Sequence, residues 1–187
     1  MPNHTASDYI KLLKLHPHVE GGYFAEVYKS ADNVKPIDAA RYENEERCAG
    51  TSIFFLLEKD DFSAWHALRS DEIWHFYDGS PVQIHVIDPK THKLTTYLLG
   101  NPTQDANAIF IVAIKAGCWF SAEVKDKTSF CLVGCTVNPG FDYKDFQLAN
   151  RAALSGEYPA YKDIIERLTR VTANDFSSLL PPLKHIQ

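Results

Sequence analysis

Our interpretation of the fold starts from one stretch, Ser63-Ala-Trp-His-Ala-Leu-Arg-Ser-Asp-Glu-Ile-Trp-His-Phe-Tyr-Asp-Gly79. Its apolar and polar residues alternate, which predicts two strands, Ser63–Leu68 and Glu72–Tyr77, joined by a tight turn. Side chains two positions apart share one face of a strand. We therefore expect His66 and Glu72 to point inward together, towards one cavity.

Further strands are predicted on both sides of this stretch. Seven segments show strand-like alternation or short apolar runs between turn residues. They are Tyr23–Lys29, Thr51–Leu57, Val82–Ile87, Leu94–Leu99, Ile109–Ile114, Trp119–Val124 and Phe130–Val137. Short strands at such regular spacing are typical of an antiparallel sandwich or barrel. No helical pattern interrupts residues 51–137, which argues against a parallel βαβ fold.

Helical periodicity is confined to the ends of the chain. Ser7–Leu15 follows N-cap residues and predicts a short helix. Phe146–Leu154 and Tyr158–Leu168 predict two helices that pack outside the sheets. The polar segment Ser30–Arg47 predicts a loop. The last residues, 169–187, predict a partly ordered tail.

Composition narrows the class of protein. The 187 residues fit one domain, 1–187, with a core from about residue 8 to 168. A net charge of -5 and a pI near 5.9 argue against a nucleic-acid partner. No apolar run reaches about 18 residues, so we expect no membrane span. The N-terminus lacks the pattern of a signal peptide, and we expect a cytoplasmic protein.

The cysteines predict no special chemistry. There are four in the chain, and Cys131 and Cys135 lie in one predicted strand. That spacing places them on one face but roughly 13 Å apart, too far for a disulfide or a shared metal. We expect free, buried thiols.

An acid–base site is our first hypothesis for function. A histidine oriented by a carboxylate is a general base near neutral pH. We therefore predict His66 as the base with Glu72 as its orienter, and Tyr23 or Tyr77 as the acid. Such a site suits the removal of a proton next to a carbonyl group.

Other side chains are candidates for binding the ligand. Arg69 could hold an anionic group, since guanidinium matches carboxylate and phosphate. Trp74 and Trp119 could stack on a ring. The remaining candidates are polar residues near the predicted cavity, namely Glu20, Glu26 and His75. We interpret His16, His18, His85 and His92 as turn or surface residues.

A metal site is an alternative. Divalent metals commonly take two histidines and a carboxylate. His66 and Glu72 supply two ligands, and the third would come from Glu20, Glu26, His75 or His85. The spacing of these residues leaves this alternative open.

Several motifs resemble those of a known family. Glu72-Ile-Trp-His-Phe-Tyr-Asp-Gly79 resembles the second half of the first motif of the cupin superfamily, a glutamate followed seven positions later by glycine. Lys115-Ala-Gly-Cys-Trp-Phe120 resembles the second motif, with Lys115 in place of proline and Phe120 in place of histidine. Metal-binding cupins usually carry two histidines one residue apart, whereas Ala64 and Leu68 flank His66 on its face.

A closer resemblance is to the cupin 5 family, also called domain of unknown function 985. It rests on four ordered motifs, Val19-Glu-Gly-Gly-Tyr-Phe-Ala-Glu26, Ile73-Trp-His-Phe-Tyr-Asp-Gly79, Gly117-Cys-Trp119 and Val137-Asn-Pro-Gly-Phe-Asp-Tyr143. The resemblance implies an all-β, RmlC-like jelly roll, a double-stranded β-helix, with flanking N- and C-terminal helices. It also implies a homodimer, and it implies no settled reaction.

Taken together, the residues and the resemblance predict a cupin that binds a small molecule. The leading hypothesis is a metal-free isomerase or epimerase acting on a carbohydrate-like or carbonyl ligand, as in the sugar epimerase cupins that the fold resembles. The first alternative is a metal-dependent dioxygenase or lyase with a divalent metal cofactor. The second is a ligand-binding module without chemistry.

Overall fold

The computed structural model describes residues 4–170. Within that range the chain forms thirteen strands and three α-helices. Most of the predicted tail, 171–187, lies outside the described residues. No helix in the described part is both long and apolar enough to cross a membrane.

The elements follow the chain in a simple order. The strands are β1 (His16–Pro17), β2 (Tyr23–Lys29), β3 (Asn33–Val34), β4 (Arg47–Cys48), β5 (Thr51–Glu58), β6 (Phe62–Leu68), β7 (Asp71–Gly79), β8 (Val82–Asp88), β9 (Lys93–Leu99), β10 (Ile111–Ile114), β11 (Trp119–Val124), β12 (Phe130–Asn138) and β13 (Phe146–Leu148). The helices are α1 (Ala6–Leu12), α2 (Arg151–Glu157) and α3 (Lys162–Arg167). All nine predicted strands are present.

Most of these strands form two antiparallel sheets. The first sheet has the order β1-β2-β5-β12-β7-β10 and the second has the order β13-β6-β11-β8-β9. Consecutive strands β6, β7 and β8 pass from the second sheet to the first and back. The predicted all-β jelly roll with flanking helices is confirmed. Its crossovers place His66 on β6 and Glu72 on β7 in different sheets.

The main core lies between the two sheets. It is built from alternate residues of the facing strands, which the pleat of each strand turns inward. Phe55 and Trp74 come from the first sheet, and Ile84 and Phe120 come from the second. Each of these four side chains is almost completely buried.

The helices cover the outer faces of the sheets. Thr5 and Asp8 form a capping box that starts α1, which packs on Leu56 and Leu132 of the first sheet. Helices α2 and α3 pack against Trp65 and other apolar residues on the outer face of the second sheet. These contacts leave the space between the sheets to the core and to one cavity.

One prediction about the flanking segments is wrong, and one is incomplete. Phe146–Leu154 does not form one helix, because residues 146–148 form β13, which pairs with β6, and α2 starts only after the N-cap Asn150. The segment Ser30–Arg47 is also more ordered than a simple loop. It contributes β3 and a 3-10 turn, and its Tyr42 is buried.

The cysteines follow the prediction. All four are free, Cys118, Cys131 and Cys135 are buried, and Cys48 is half-buried. Burial raises the pKa of the Cys118 thiol to about 11. Burial also raises the pKa of the Cys131 and Cys135 thiols, so these three buried cysteines are protonated packing groups at neutral pH.

Candidate functional site

A cavity of about 290 Å³ opens between the two sheets. Its walls combine aromatic and aliphatic side chains with a small set of polar ones. The polar lining residues are His16, His18, Glu20, Glu26, Thr51, His66 and Glu72. A mostly apolar cavity with a few converging polar groups is the usual form of a small-molecule site.

A tight turn before β2 brings Glu20 into the cavity. His18 N–H donates to the carbonyl of Gly22 at 3.0 Å, and Gly21 N–H donates to the carbonyl of His18 at 3.1 Å. Gly21 and Gly22 have φ of 115° and 69°, a backbone region that glycine adopts at little cost. The N–H of Gly22 donates to Asp61 at 2.8 Å and fixes the turn against the start of β6. Glu20 is therefore held rigidly, with only 6% of its surface exposed.

Glu20 contacts two imidazole rings through one oxygen. Its Oε2 lies 3.3 Å from His66 Nε2 and 3.5 Å from His18 Nδ1. Its other oxygen accepts from the hydroxyl of Ser63 at 2.8 Å. We refer to Glu20, His18 and His66 as the cavity triad.

The hydrogen bonds of the triad assign its protons. His66 Nδ1 lies 2.7 Å from the carbonyl of Ala64, which can only accept, so Nδ1 carries the ring proton. His18 Nδ1 accepts from the N–H of Glu20 at 3.4 Å, so its proton lies on Nε2. Two nitrogen lone pairs therefore face one carboxyl oxygen. A single proton shared among the three groups removes the repulsion.

Burial controls the charge of the triad. It lowers the pKa of His66 to about 4, with a small opposing effect from the Ala64 carbonyl. It also lowers the pKa of His18, which Glu20 partly offsets. Burial raises the pKa of Glu20 in turn. All three directions favour uncharged imidazoles beside a protonated carboxyl group.

Glu72 faces the cavity from the other sheet without a close partner. It is 7% exposed, and its Oε2 makes no hydrogen bond within residues 4–170. Burial, and then the nearby Glu20, raise its pKa to about 8. Trp74 and Cys135 lie near enough to lower that pKa slightly, but neither makes a well-formed hydrogen bond to it. The indole Nε1 of Trp74 is likewise buried and unpartnered in the described part of the chain.

Aromatic rings make up much of the remaining wall. They are Phe24, Phe55, Trp74, Phe141, Tyr143 and Phe146. Several contact each other, with ring centroids 5.6 Å apart for Phe55 and Trp74 and 5.0 Å apart for Phe141 and Tyr143. No lysine or arginine is among the described residues that line the cavity.

His66 and Glu72 both line the cavity, as we expected, but the structure does not pair them. They make no ion pair within 4 Å, and the carboxyl group beside His66 belongs to Glu20. The reason is the crossover between β6 and β7, which separates the two side chains onto different sheets. The carboxyl group that orients His66 is therefore Glu20 and not Glu72, which we predicted.

The predicted acids Tyr23 and Tyr77 lie outside the cavity. Tyr23 alternates with the inward Phe24 and packs beneath α1 on the outer face. Tyr77 is 50% exposed and lies over Gly134, where an added Cβ would meet its hydroxyl at 2.3 Å. Neither tyrosine can reach a ligand between the sheets. Tyr143 is the tyrosine that lines the cavity.

Arg69, His75 and Trp119 are also absent from the cavity wall. Arg69 is buried, donates to Glu43 at 2.8 Å and lies 3.7 Å from Asp145, so it is already neutralised. His75 directly follows the inward Trp74 on β7 and so faces the opposite way. Trp119 packs against the cluster beneath α2 and α3.

Among the remaining candidates, Glu20 and Trp74 line the cavity wall, while Glu26 is exposed at its mouth.

His16 is exposed and His18 lies in the turn before β2, as interpreted, but both line the cavity. The interpretation of His85 as a turn or surface residue is wrong, because it lies on β8, is 5% exposed and belongs to a separate network. One signal could have found the first two. His16, His18 and Glu20 occur at every second position, which places them on one face of an extended chain.

A metal site does not fit these residues. No group of three or more histidine, cysteine, aspartate or glutamate side chains within residues 4–170 has the geometry to hold a metal ion. His66 and Glu72 in particular lie on different sheets. The alternative with a divalent metal is thus not supported by the arrangement of ligands.

Comparison with known proteins places the chain in a family. The cupin 5 family model, described as cupin superfamily (DUF985), matches residues 7–149. The chain belongs to the cupin 5 family. Two solved structures are similar to this cupin over their full length. Protein SO0799 from Shewanella oneidensis is 35% identical over 91% of this chain and 100% of its own, with a TM-score of 0.80. A hypothetical protein from Leishmania major is 33% identical over 90% of this chain and 100% of its own, also with a TM-score of 0.80.

More distant structures share the fold. Oxalate decarboxylase from Bacillus subtilis is 13% identical over 83% of this cupin and 37% of its own chain, with a TM-score of 0.51. The capsular polysaccharide assembling protein CapF from Staphylococcus aureus is 14% identical over 73% of this cupin and 31% of its own chain, with a TM-score of 0.52. The comparison with curated proteins gave no match.

Proposed function

We propose that this cupin binds a small carbonyl compound between its sheets and moves a proton at the carbon next to the carbonyl, as an isomerase or epimerase does. One observation carries the proposal. Oε2 of Glu20 lies 3.3 Å from His66 Nε2 and 3.5 Å from His18 Nδ1 at the wall of a cavity large enough for a small ligand. Such a set can accept and return a proton with little change in charge.

The proton moves along a balanced path. The C–H bond of the ligand breaks, its proton passes to an imidazole nitrogen of the triad, and the electron pair moves to the carbonyl oxygen as an enolate. Glu20 takes up or gives back the shared proton as the imidazole changes state. Return of the imidazole proton to the neighbouring carbon, with transfer of the hydroxyl proton between the two enediol oxygens, completes isomerisation. Protonation of the first carbon by water on its other face, with the imidazole proton released to solvent, completes epimerisation.

The enolate oxygen needs a hydrogen-bond donor that is already in place. Trp74 Nε1–H is buried at the cavity and lacks a protein partner among the described residues. A donor that is fixed before the reaction stabilises developing charge without reorganising. We therefore assign the carbonyl end of the ligand to Trp74.

A deuterium-exchange experiment tests the chemistry. Hydroxyacetone, dihydroxyacetone and a set of ketose sugars are incubated with the protein in D₂O, and NMR follows loss of the α-proton signals. We expect exchange with at least one compound, slowed by about 100-fold or more in His66→Gln and Glu20→Gln, because general bases typically contribute that much. His85→Gln changes a buried histidine outside the cavity and is the matched control.

Three results would contradict this proposal. Ligand binding without exchange by any compound would favour a binding module. Exchange that persists in His66→Gln would exclude the triad. Stoichiometric iron, manganese, nickel or zinc in protein purified without chelators, lost in His66→Ala, would favour the metal-dependent alternative.

We also keep the homodimer as a proposal. Its support is a row of partly exposed apolar side chains, Ile109, Phe110 and Ile111, at the edge of the first sheet where β10 lies. Exposed strand edges pair readily with a second copy. Sedimentation analysis of Ile111→Lys against the unchanged protein tests it, and a monomeric unchanged protein would refute it.

A further inference from the structure

Glu72 is the buried charge-bearing group that the proposed chemistry leaves unused. It lies on β7, 7% exposed, on the wall opposite β6 and its His66. Its buried oxygen Oε2 has no hydrogen-bond partner within residues 4–170. Burying such an oxygen without a partner costs free energy, so proteins generally retain one only where something else satisfies it.

The side chains that line the cavity around Glu72 determine which charge a partner of its Oε2 can carry. Its cavity is lined by carboxyl groups, imidazoles and aromatic rings, and no described lysine or arginine contributes to the wall. Glu26 adds a further carboxylate at the mouth, where it is exposed. An anionic ligand would find no positively charged lysine or arginine among the described lining residues and would lie beside Glu72. A cation would meet a carboxylate and the electron-rich faces of aromatic rings.

The rings are placed to receive a cation beside Glu72. Trp74 lies two residues along β7 on the same inward face, and Phe55 of the neighbouring part of the sheet contacts it with ring centroids 5.6 Å apart. Phe141 and Tyr143 continue the wall from the chain after β12. Aromatic walls with an acidic group are the usual means of binding organic ammonium groups.

We propose that the cavity selects an organic cation, a protonated amine whose ammonium group binds Glu72 among the aromatic rings. This inference rests on the cavity being the ligand site of the proposed function, and it names the class of ligand. The bound ammonium supplies the positive charge that the lining lacks. Since the pKa of Glu72 is about 8, binding of the cation returns that group to its carboxylate form.

The position of Trp74 sets a second requirement for the ligand. Its indole N–H is a donor close to Glu72 and also lacks a partner among the described residues. A ligand that satisfies both groups carries its ammonium near an oxygen acceptor. An amine next to a carbonyl or hydroxyl group has this arrangement. The inference thus narrows the carbonyl ligand to an amino carbonyl compound.

Three compounds with the same ring and different charges test whether the cavity prefers a cation. Benzylammonium, benzyl alcohol and benzoate share a ring and differ in charge, and each is titrated into the protein at about pH 8 and followed by protein NMR. We expect benzylammonium to bind at least about tenfold more tightly than benzyl alcohol, and benzoate to bind most weakly. In Glu72→Gln the advantage of benzylammonium falls to about twofold or less. Glu58→Gln removes one carboxyl group outside the cavity and keeps the full advantage.

The outcomes separate this inference from the proposed reaction. Equal or tighter binding of benzyl alcohol or benzoate overturns the inference, as does an advantage that survives Glu72→Gln. Binding of none of the probes also overturns it. If deuterium exchange fails while charge selection holds, the reaction is wrong and the ligand class stands. If neutral ketones exchange readily and no charge selection is seen, the reaction stands and the ligand class is wrong. Thermal unfolding of each variant verifies that Glu72→Gln is folded.

Discussion

Two buried histidine–glutamate pairs in this cupin have almost the same geometry and opposite surroundings. In the cavity, His66 Nε2 lies 3.3 Å from Glu20. On the outer face of the second sheet, His85 Nε2 lies 3.2 Å from Glu123. Both carboxyl groups are at most 6% exposed. The difference between them lies in the charges that surround each carboxyl group.

Positively charged side chains surround the outer pair, His85 and Glu123. Arg167 of α3 donates to both oxygens of Glu123, at 2.6 and 2.7 Å, and Lys127 donates at 2.8 Å. Burial alone would raise the pKa of Glu123, but the hydrogen bonds from His85, Arg167 and Lys127 lower it well below its ordinary value. We call these four residues the outer network. It ties α3 to the sheet through the ion pair of Arg167 and Glu123.

The cavity pair has no such compensation. Arg170 approaches Glu20, but it donates to the backbone carbonyl at 3.1 Å. Burial therefore dominates and raises the pKa of Glu20. The same two residue types form a structural pair bound by two cations in one place and a cavity pair without such cations in the other. The compensating cations decide which role is taken.

The largest expected effect concerns Glu72, the cavity carboxyl group with the fewest partners. Its pKa is raised from 4.5 to about 8, so between these pH values the folded protein holds a proton that the unfolded chain has lost. The free energy of unfolding must then fall as pH rises through this window. Glu72→Gln removes the effect, and relative to the unchanged protein it should gain about 3 kcal/mol between pH 5 and pH 8. Urea unfolding at both pH values measures this.

The control for that comparison is Glu58→Gln. Glu58 is half-buried on β5 and pairs with the exposed Lys59 at 3.6 Å. Its substitution should leave the pH dependence of the unchanged protein intact. An equal gain in Glu58→Gln would show that the pH dependence does not come from Glu72. No gain in Glu72→Gln would show that Glu72 is ionised in the folded state.

The second prediction sets the two pairs directly against each other. Glu123→Gln keeps the shape but leaves Arg167 and His85 without a charged partner, and should lower the free energy of unfolding by about 2 kcal/mol at pH 7. Because the pKa of Glu123 is lowered, its contribution is present above about pH 4.5 and is lost as pH falls below it. Glu20→Gln changes a group whose pKa is raised by burial and should change stability by less than about 1 kcal/mol. Urea unfolding of both variants checks the difference, and equal losses would mean that Glu20 is a carboxylate.

A third prediction compares the hydroxyl groups that contact the two histidine–glutamate pairs. Ser63 is fully buried and donates to Glu20 at 2.8 Å, so Ser63→Ala should cost about 1 kcal/mol. Thr96 contacts His85 Nδ1 at 2.9 Å but is exposed, and water can replace it in Thr96→Val. We expect a loss below about 0.5 kcal/mol there. Chemical denaturation ranks the two variants, and the reverse order would contradict the burial argument.

The fold could be predicted from the sequence because its signals are local. Strand-like alternation and short apolar runs predicted nine strands, all of which are present, and the cupin motifs supplied the topology. Four short strands, β1, β3, β4 and β13, were not predicted. In β13, Phe146–Leu148, three residues of strand carry too little pattern to stand out from the helix that follows. Its pairing with β6 depends on contacts about eighty residues away in sequence, at Leu68 and His66.

The site was only partly predictable, because its partners are chosen by topology. His66 and Glu72 lie close in sequence, and a tight turn between paired strands would bring them together. The chain instead crosses between sheets after β6, and Glu20 arrives at His66 from a turn far earlier in the chain. Residues His16, His18 and Glu20 did carry a strand-like spacing. Nothing in that spacing indicates which later residue they meet.

The smallest expected effect tests whether burial of one partner matters for an ion pair. Lys127 and Glu123, and Lys162 and Glu166, are both lysine–glutamate pairs four residues apart. In the first pair the glutamate is 6% exposed and the nitrogen–oxygen distance is 2.8 Å, whereas in the second both side chains are exposed at 3.8 Å. Lys127→Met should therefore lower stability by about 0.5 kcal/mol at low salt, and Lys162→Met should have no measurable effect. Because Lys127 is itself partly exposed, salt near 1 M should screen most of its contribution. Urea titrations at low and high salt decide the point, and a loss in Lys127→Met that does not respond to salt would place the lysine inside the buried part of the outer network.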